Sequence, residues 1–326
     1  MKSRRYYLSF LIIISSTMLR AQSPDDYRHQ FRLSVDEDFI NIRGQGTDKA
    51  YTAGTFIDYR YAKKQPGFFL ERWAPKAGPN SVNIYGVGLL HLMFTPNNTK
   101  LEQPINNDFP YAGAVLGHFS SWSYNPEKKY AIHSRFMAGM LGEASGAREI
   151  QEFVHRLTGT QQPKGWDNQL PNDILLNIDV TAEKQLNGFE WAEIIGGGRV
   201  YAGSMTNALE AYVVLRAGKM KSWFTGLMAH TSTPARSNAR GRWQAYVFAR
   251  PAAQFIAYNA LLQGGIILKK DKKISPDINR LTATLDYGIV LSHGNFGISF
   301  TQKVFSPWIK GLSSHEVGNI TLYFNW

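Results

Sequence analysis

The chain ends on the stretch "VGNITLYFNW" (Val317–Trp326), which alternates between apolar and other side chains. Ile320, Leu322, Phe324 and Trp326 occupy every second position of it. Successive side chains of a β-strand point to opposite faces, so these four side chains share one face. The stretch therefore predicts a β-strand with one apolar face and an aromatic residue at its end.

Similar alternation recurs along the chain, in about twelve runs altogether. In the first run, "HQFRLSVDEDF", Phe31 and Leu33 fall on one face and Arg32 and Ser34 on the other. A final strand that ends on an aromatic residue resembles the assembly signal of bacterial outer-membrane barrels. The ten runs between the first and the last are Tyr51–Tyr61, Val82–Phe94, Tyr111–Tyr124, Tyr130–Met140, Ile174–Glu183, Ala192–Ala202, Ala208–Gly218, Trp243–Leu262, Leu281–His293 and Phe296–Phe305.

The first residues have the composition of a secretory signal peptide. Basic residues precede an apolar segment, Leu8–Ile14, which is too short to span ~30 Å of hydrocarbon as a helix. We expect a signal peptide over residues 1–21, cleaved after Ala21, followed by one barrel domain over residues 22–326. The chain has no cysteine, which excludes a disulfide framework and thiol chemistry. A net charge of +11 suggests an anionic partner such as a phosphate-bearing lipid surface, or else a generic solvated surface.

These patterns predict an all-β fold, a transmembrane antiparallel β-barrel of twelve strands. Bacterial single-chain barrels have an even number of strands, short periplasmic turns and longer outward loops. The alternative is a soluble, secreted β-sandwich or barrel. Strand parity directs the connections 40–50, 95–110 and 141–173 outward. Two features fit less well: Pro251 could divide its run in two, and the periplasmic connections Ala62–Ser81 and Lys219–Arg242 are long.

The third outward loop contains a short helical pattern. Gly159 follows it as a C-cap, and Gln151 and His155 lie four residues apart beside its apolar stripe. Histidine is the usual general base near neutral pH, so His155 is a candidate base and Gln151 could orient it or bind substrate. The alternative is a half-exposed loop histidine without a role. The stripe consists of Ile150, Phe153, Val154 and Leu157, and it could pack on the barrel rim or contact lipid.

Carboxylates crowd the first outward loop. Asp36, Glu37, Asp38 and Asp48 lie within a short span, and oxygen ligands of this kind suit Ca²⁺. A cation there could polarise an ester carbonyl. The alternative is a solvated acidic rim.

Six ordered motifs together resemble the lipid A 3′-O-deacylase (LpxR-type) family of the Gram-negative outer membrane. They are "DED" at 36–38, "DKAYTAG" at 48–54, "DFPYAG" at 108–113, a Gln-x-x-x-His pair at 151 and 155, "GWDNQL" at 165–170 and "NALLQG" at 259–264. The chain departs from the family pattern at three positions. Glu37 and Ala53 each stand where the family has Asn, and Phe109 stands where it has Arg.

The resemblance implies a twelve-stranded barrel that removes the 3′-linked acyl chains of lipid A by Ca²⁺-dependent ester hydrolysis. The expected catalytic residues are His155 as general base, Gln151 and Thr52. Lipid A and lipopolysaccharide are the expected partners of a monomer in the outer membrane, with its site facing the outer leaflet and no nucleic acid bound. The open alternatives are a non-enzymatic porin or adhesion barrel and a phospholipase-like esterase. The expected substrate-binding residues are Tyr51, Asp108, Tyr111, Trp166 and Gln169, and the expected metal ligands are Asp38, Glu37 and Asp48.

Overall fold

In the computed structural model the described residues are 28–42, 49–103, 105–232, 243–268 and 276–326. Within these ranges the chain forms twelve antiparallel strands that close into a barrel, with β1 paired to β12. The signal peptide expected over residues 1–21 lies outside the described residues. The strands are β1 His29–Glu37, β2 Ala50–Ala62, β3 Val82–Thr95, β4 Ala112–Asn125, β5 Tyr130–Leu141, β6 Asp173–Gly188, β7 Ala192–Gly203, β8 Thr206–Lys219, β9 Trp243–Asn259, β10 Leu281–His293, β11 Phe296–Phe305 and β12 His315–Asn325.

Each strand predicted from the sequence corresponds to one of these strands, so the barrel prediction is confirmed. The run around Pro251 is a single strand, β9. Pro251 faces Leu285 of β10, while the pairing of β9 with β8 is interrupted between Ala249 and Ala252. The strand continues past the proline because the lost N–H interrupts the ladder on one side only.

The outer surface of the barrel is apolar, whereas many of the side chains that point inward are polar or charged. In β6, Leu176, Ile178 and Val180 are exposed, whereas the alternating Asn177 and Asp179 are buried in the lumen. A soluble barrel would place the apolar face inside, so this arrangement fits a barrel surrounded by lipid. None of the helices among the described residues is long and apolar enough to cross a membrane.

Three short α-helices lie in the connections: α1 Phe69–Trp73, α2 Ala147–Thr158 and α3 Ala260–Gln263. We call the end of the barrel that carries α2 and α3 the helix end. The opposite end, where β1 begins and β12 ends, is the terminal end.

The described part of the long β8–β9 connection, residues 220–232, packs inside the lumen near the terminal end. Two 3₁₀ turns, Trp223–Thr225 and Leu227–His230, fold inward and bury Phe224 and Met228 against luminal residues of the wall. We call residues 222–232 the plug. The β8–β9 connection is longer than a simple periplasmic turn because it includes this packed segment.

Candidate active site between helix α2 and the barrel wall

Helix α2 turns its polar side toward the protein. Gln151 and His155 are buried with Ala147, each one turn from the next. Ile150 and Phe153, on the predicted apolar stripe, are instead exposed, at 46% and 55%. The burial of α2 is therefore inverted relative to a helix on a soluble protein.

The helix begins against the outer face of β4. A Cβ atom on Gly113 would lie 2.2 Å from Ser145 Oγ and 2.3 Å from Ala147 Cβ. The absence of a side chain in the "YAG" motif is thus what allows α2 to approach the wall. Ser145 is fixed there because its hydroxyl donates to Gly142 O at 2.6 Å.

Trp166 fixes the orientation of Gln151. Its indole Nε1–H donates to Gln151 Oε1 at 2.8 Å, and its ring packs on Tyr111 at 4.8 Å between centroids. Both rings are buried in one cluster with Met93 and Ala147. Gln151 Nε2 is buried and has no hydrogen-bond partner within the described residues. Its N–H donors are therefore available to a bound molecule.

The β3–β4 and β5–β6 connections hold this cluster together. Leu170 N–H donates to Tyr111 O at 2.9 Å, and Lys164 N–H donates to Thr99 O at 2.9 Å. At Gly165 a Cβ would lie 2.4 Å from Tyr111 Cε2, so glycine permits the contact. The motifs at 108–113 and 165–170 thus form one packed unit.

His155 is held in one tautomer. Its Nδ1 lies 2.6 Å from Gln161 O. A carbonyl oxygen only accepts hydrogen bonds, so Nδ1 carries the proton and, in the neutral ring, Nε2 carries the lone pair. This is the arrangement of an imidazole that works as a base through Nε2, with a carbonyl in the orienting role.

Thr52 lies on the outer face of the wall near α2. It is the extra residue of a β-bulge between Tyr51 and Ala53, and its Oγ1 is 2.7 Å from Thr95 Oγ1. Ala53, at a position where the family pattern has Asn, packs against the Trp166 cluster. The bulge therefore brings Thr52 and Ala53 to the side of the wall that α2 covers.

Two of the expected substrate-binding residues have other partners. Tyr51 points into the lumen, where its hydroxyl donates to Asp36 Oδ2 at 2.7 Å. Asp108 accepts hydrogen bonds from Asn97 N at 3.1 Å and Asn97 Nδ2 at 2.6 Å, which stabilises the β3–β4 connection. Phe109 is buried and stacks on Phe94, so an apolar contact occupies the position where the family pattern has Arg.

The expected metal ligands are only partly assembled. Asp38 is buried and its Oδ2 accepts a hydrogen bond from Lys49 N–H at 3.2 Å. Glu37 ends β1 at a position that alternates with luminal Asp36, and Asp48 lies outside the described residues. Among the residues the structure describes, no three His, Asp or Glu side chains form a metal-binding group. Ca²⁺ takes about six to eight oxygen ligands, which include backbone carbonyls and waters as well as carboxylates.

One polar residue at this site, His91, belongs to none of the six motifs. His91 of β3 alternates with luminal Leu90 and Leu92, so it faces outward, and it hydrogen-bonds the backbone of Ser145. Its Nε2 is buried without a partner within the described ranges, as is Oε1 of Gln169. Such atoms are candidates for ligand contacts. The sequence does contain a sign of this residue, because a histidine between Leu89 and Met93 interrupts an otherwise apolar, lipid-facing side of β3.

Comparison with known proteins identifies the family. The model of the outer membrane protein LpxR family matches residues 7–326. A solved structure titled "LpxR from Salmonella typhimurium" is similar, with a TM-score of 0.71 and 15% identity over 91% of this chain and 100% of that one. The β domain of the Bordetella autotransporter BrkA has a TM-score of 0.47 and 9% identity, and covers 92% of this chain and 100% of its own. The translocator domain of the autotransporter NalP from Neisseria meningitidis has a TM-score of 0.42 and 10% identity, and the match covers 94% of this chain and 90% of that domain.

No curated protein matches the chain. The family model spans nearly the whole sequence, and the solved LpxR structure shares its fold. The chain belongs to the LpxR family of outer membrane proteins.

Proposed function

We propose that this protein is an outer-membrane esterase that hydrolyses the 3′-linked acyl chains of lipid A. The observation that carries the proposal is the state of His155, which is buried on the wall side of α2 with Nδ1 bonded to Gln161 O at 2.6 Å. A histidine oriented in this way can remove a proton from water through Nε2. Family membership supports the choice of lipid A as substrate.

The position of α2 supports a lipid substrate. Its exposed apolar side chains and the exposed apolar face of the barrel wall form surfaces that favour contact with acyl chains. A substrate with its chains in the membrane could then present an ester to the cleft without leaving the lipid. These exposed side chains of α2 are Ile150, Phe153, Val154 and Leu157.

The reaction needs two proton transfers. Water attacks the ester carbonyl while His155 Nε2 accepts its proton, and the imidazolium is stabilised by the bond from Nδ1–H to Gln161 O. The tetrahedral intermediate then expels the sugar oxygen, which takes the proton back from Nε2. The products are a fatty acid and a free sugar hydroxyl.

Gln151 is suited to bind the oxygen that becomes negative. Trp166 holds its Oε1, so the unpartnered Nε2–H groups are directed elsewhere in the buried cleft. A donor already in place at the carbonyl oxygen lowers the barrier, and removing one such donor typically costs about 10²–10³ in rate. Gln151 thus acts on the substrate, while Trp166 acts through Gln151.

Calcium remains part of the prediction, with Asp38, Glu37 and Asp48 as ligands. Of these three, Asp38 is buried, and it follows Glu37, whose register partner Ala53 flanks the bulge at Thr52. When bound, the ion would supply a positive charge for the ester oxygen. The steps above use protein groups only.

The basic side chains at this end also fit an anionic glycolipid. Lys164 and Arg156 are exposed beside the cleft, and Arg148 is bound to Glu152 and Asp167. Phosphate groups of lipopolysaccharide would be attracted to such a rim. We therefore place the helix end at the outer leaflet, with the protein acting as a monomer.

The test is mass spectrometry of lipid A from cells that express the wild type or His155→Ala. Loss of the 3′-linked acyl mass with the wild type, and not with the variant, is expected. His293→Ala, at the last residue of β10 and at the terminal end of the barrel, is the matched control and should behave as the wild type. Both variants should retain the heat-modifiable mobility of a folded barrel, because neither residue belongs to the apolar core.

Unchanged lipid A in wild-type cells, with the barrel present in the outer membrane, would contradict the proposal. Phospholipids would then be tested, since a phospholipase-like esterase could use the same cleft. A porin is disfavoured by the plug, which buries Phe224 and Met228 across the lumen.

A further inference from the structure

A separate cavity of about 320 Å³ lies inside the barrel at the helix end. Its volume is within the range of small-molecule sites, about 300–1,000 Å³. It is lined by inward-facing residues of the wall, such as Phe94 and Lys303, whereas the α2 cleft lies on the outer face. The barrel wall separates the two, so the deacylase mechanism does not use this cavity.

The cavity has an apolar mouth and a charged floor. In β11, Phe305 lines the mouth and Lys303 lies two residues deeper; in β7, Tyr201 lies above Arg199. A step of two strand residues is about 7 Å along the wall. Ile256, Leu261 and Trp308 extend the apolar mouth.

The three cations that line the floor differ in how closely a described carboxylate approaches them. Lys303 is paired with Asp36 at 2.7 Å, and Arg250 is paired with Glu210. Arg199, in contrast, has no carboxylate of a described residue within ion-pair distance, although the charge of Glu210 across the cavity also acts on its guanidinium. Its Nε donates to Thr181 Oγ1 at 2.8 Å and its NH1 donates to Tyr201 Oη at 3.0 Å. A guanidinium has five N–H groups, so donors remain for an anion.

Described residues of the plug lie on the terminal-end side of the cavity. Below Arg199 lies a smaller space of about 120 Å³, which Arg199 also lines. Beneath it the plug packs Phe224 against Ile195 and Tyr212 of the wall. A molecule that enters from the helix end would therefore stop at Arg199.

We propose that the lumen binds a single-chain amphiphile with an anionic headgroup. The headgroup accepts hydrogen bonds from Arg199, and the chain extends past Phe305 and Ile256 toward the mouth. A carboxylate or phosphate suits the guanidinium because its planar donors match two oxygens. The apolar mouth favours a hydrocarbon chain over a fully polar anion.

The test uses dodecanoic acid that carries a diazirine in its chain, with the full barrel in non-ionic detergent. After irradiation, peptide mass spectrometry locates the label. In the wild type we expect label on the luminal residues Phe305 and Ile256. In Arg199→Gln we expect at least ten-fold less label on these two residues. Arg135→Gln is the matched control, because Arg135 is also luminal but lines only the smaller space and is paired with Asp179.

Dodecanoate and dodecyl phosphate as competitors distinguish a fatty acid from a phosphate-headed lipid, and at least one should displace the luminal label. Label confined to lipid-facing residues of the wild type would overturn the proposal. Equal luminal labelling in Arg199→Gln, or by the matching uncharged alcohol, would also overturn it. If Arg199→Gln does not fold, Ile256→Trp tests the mouth instead, because the larger side chain fills the apolar part of the cavity. Undiminished luminal labelling of the Ile256→Trp variant would contradict the proposed path.

Discussion

Replacing Gly113 by alanine should displace helix α2 and lower the activity of the site. The added Cβ would lie 2.3 Å from Ala147 Cβ, about 1 Å closer than packed carbon atoms, which approach to ~3.5 Å. It would also lie 2.2 Å from Ser145 Oγ, whose hydroxyl is held by Gly142 O. Neither neighbour is the end of a flexible side chain, so the start of α2 must move.

The size of the effect follows from that shift. Overpacking of this kind costs about 1–3 kcal/mol, which a barrel with twelve paired strands tolerates. A displacement of about 1 Å at a catalytic group can lower a rate by about 10²-fold. Since α2 carries His155 and Gln151, we expect a fall in acyl release of about ten- to a hundred-fold in Gly113→Ala.

Gly117→Ala is the matched control, on the same face of the same strand. A Cβ there would have its nearest neighbour, Ala138 O, at 4.0 Å, so this substitution should leave activity unchanged. Acyl release is measured by mass spectrometry of lipid A, and the position of α2 by hydrogen exchange of residues 147–158. Wild-type activity and wild-type protection of α2 in Gly113→Ala would refute the reasoning.

Three further predictions concern the tryptophan at the site, the metal and the plug. Trp166→Phe keeps the ring packing on Tyr111 but removes the N–H donated to Gln151. Losing this hydrogen bond, worth about 1 kcal/mol, should slow acyl release about five-fold, and an unchanged rate would remove Trp166 from its positioning role. Excess chelator should stop turnover, and Ca²⁺ should raise the thermal unfolding midpoint of the wild type but not of Asp38→Asn; full activity in chelator with no thermal shift would exclude the metal. Burial, followed by the nearby Arg216, lowers the pKa of His230 in the plug to about 3 from 6.5. The unfolded chain takes up the proton first, so the contribution of His230 to the free energy of unfolding is largest above pH 6.5 and falls as the pH drops toward 3. His230→Gln should remove this dependence in urea unfolding at pH 7 and pH 4, and equal pH dependence in both proteins would contradict it.

The strands of the barrel could be predicted because each carries its own signal. Alternation with period two is a local property, and in β6 or β12 it places polar and apolar side chains on opposite faces whatever the neighbouring strands are. The helix α2 was also predictable, from the spacing of its apolar residues and from Gly159 at its end. The order of six motifs was sufficient to indicate the family.

The direction in which α2 faces was not predictable. The sequence shows an apolar stripe with Gln151 and His155 beside it, and in water the stripe would be buried. The structure buries the polar pair instead, because the apolar stripe can face lipid. That choice depends on the surroundings of the helix and not on its residues alone.

The sequence by itself determined twelve strands, one loop helix and the residue types of the proposed site, since each of these depends on neighbours a few positions away. Only the tertiary structure decided which of those residues meet. It joined Trp166 to Gln151 and bonded His155 to Gln161 O, brought His91 beneath α2, and turned Tyr51 into the lumen, away from the cleft. The physical reason is that these outcomes depend on barrel closure, on a bulge in β2 and on close approach at Gly113, which set the face and depth of each side chain only when distant strands pair.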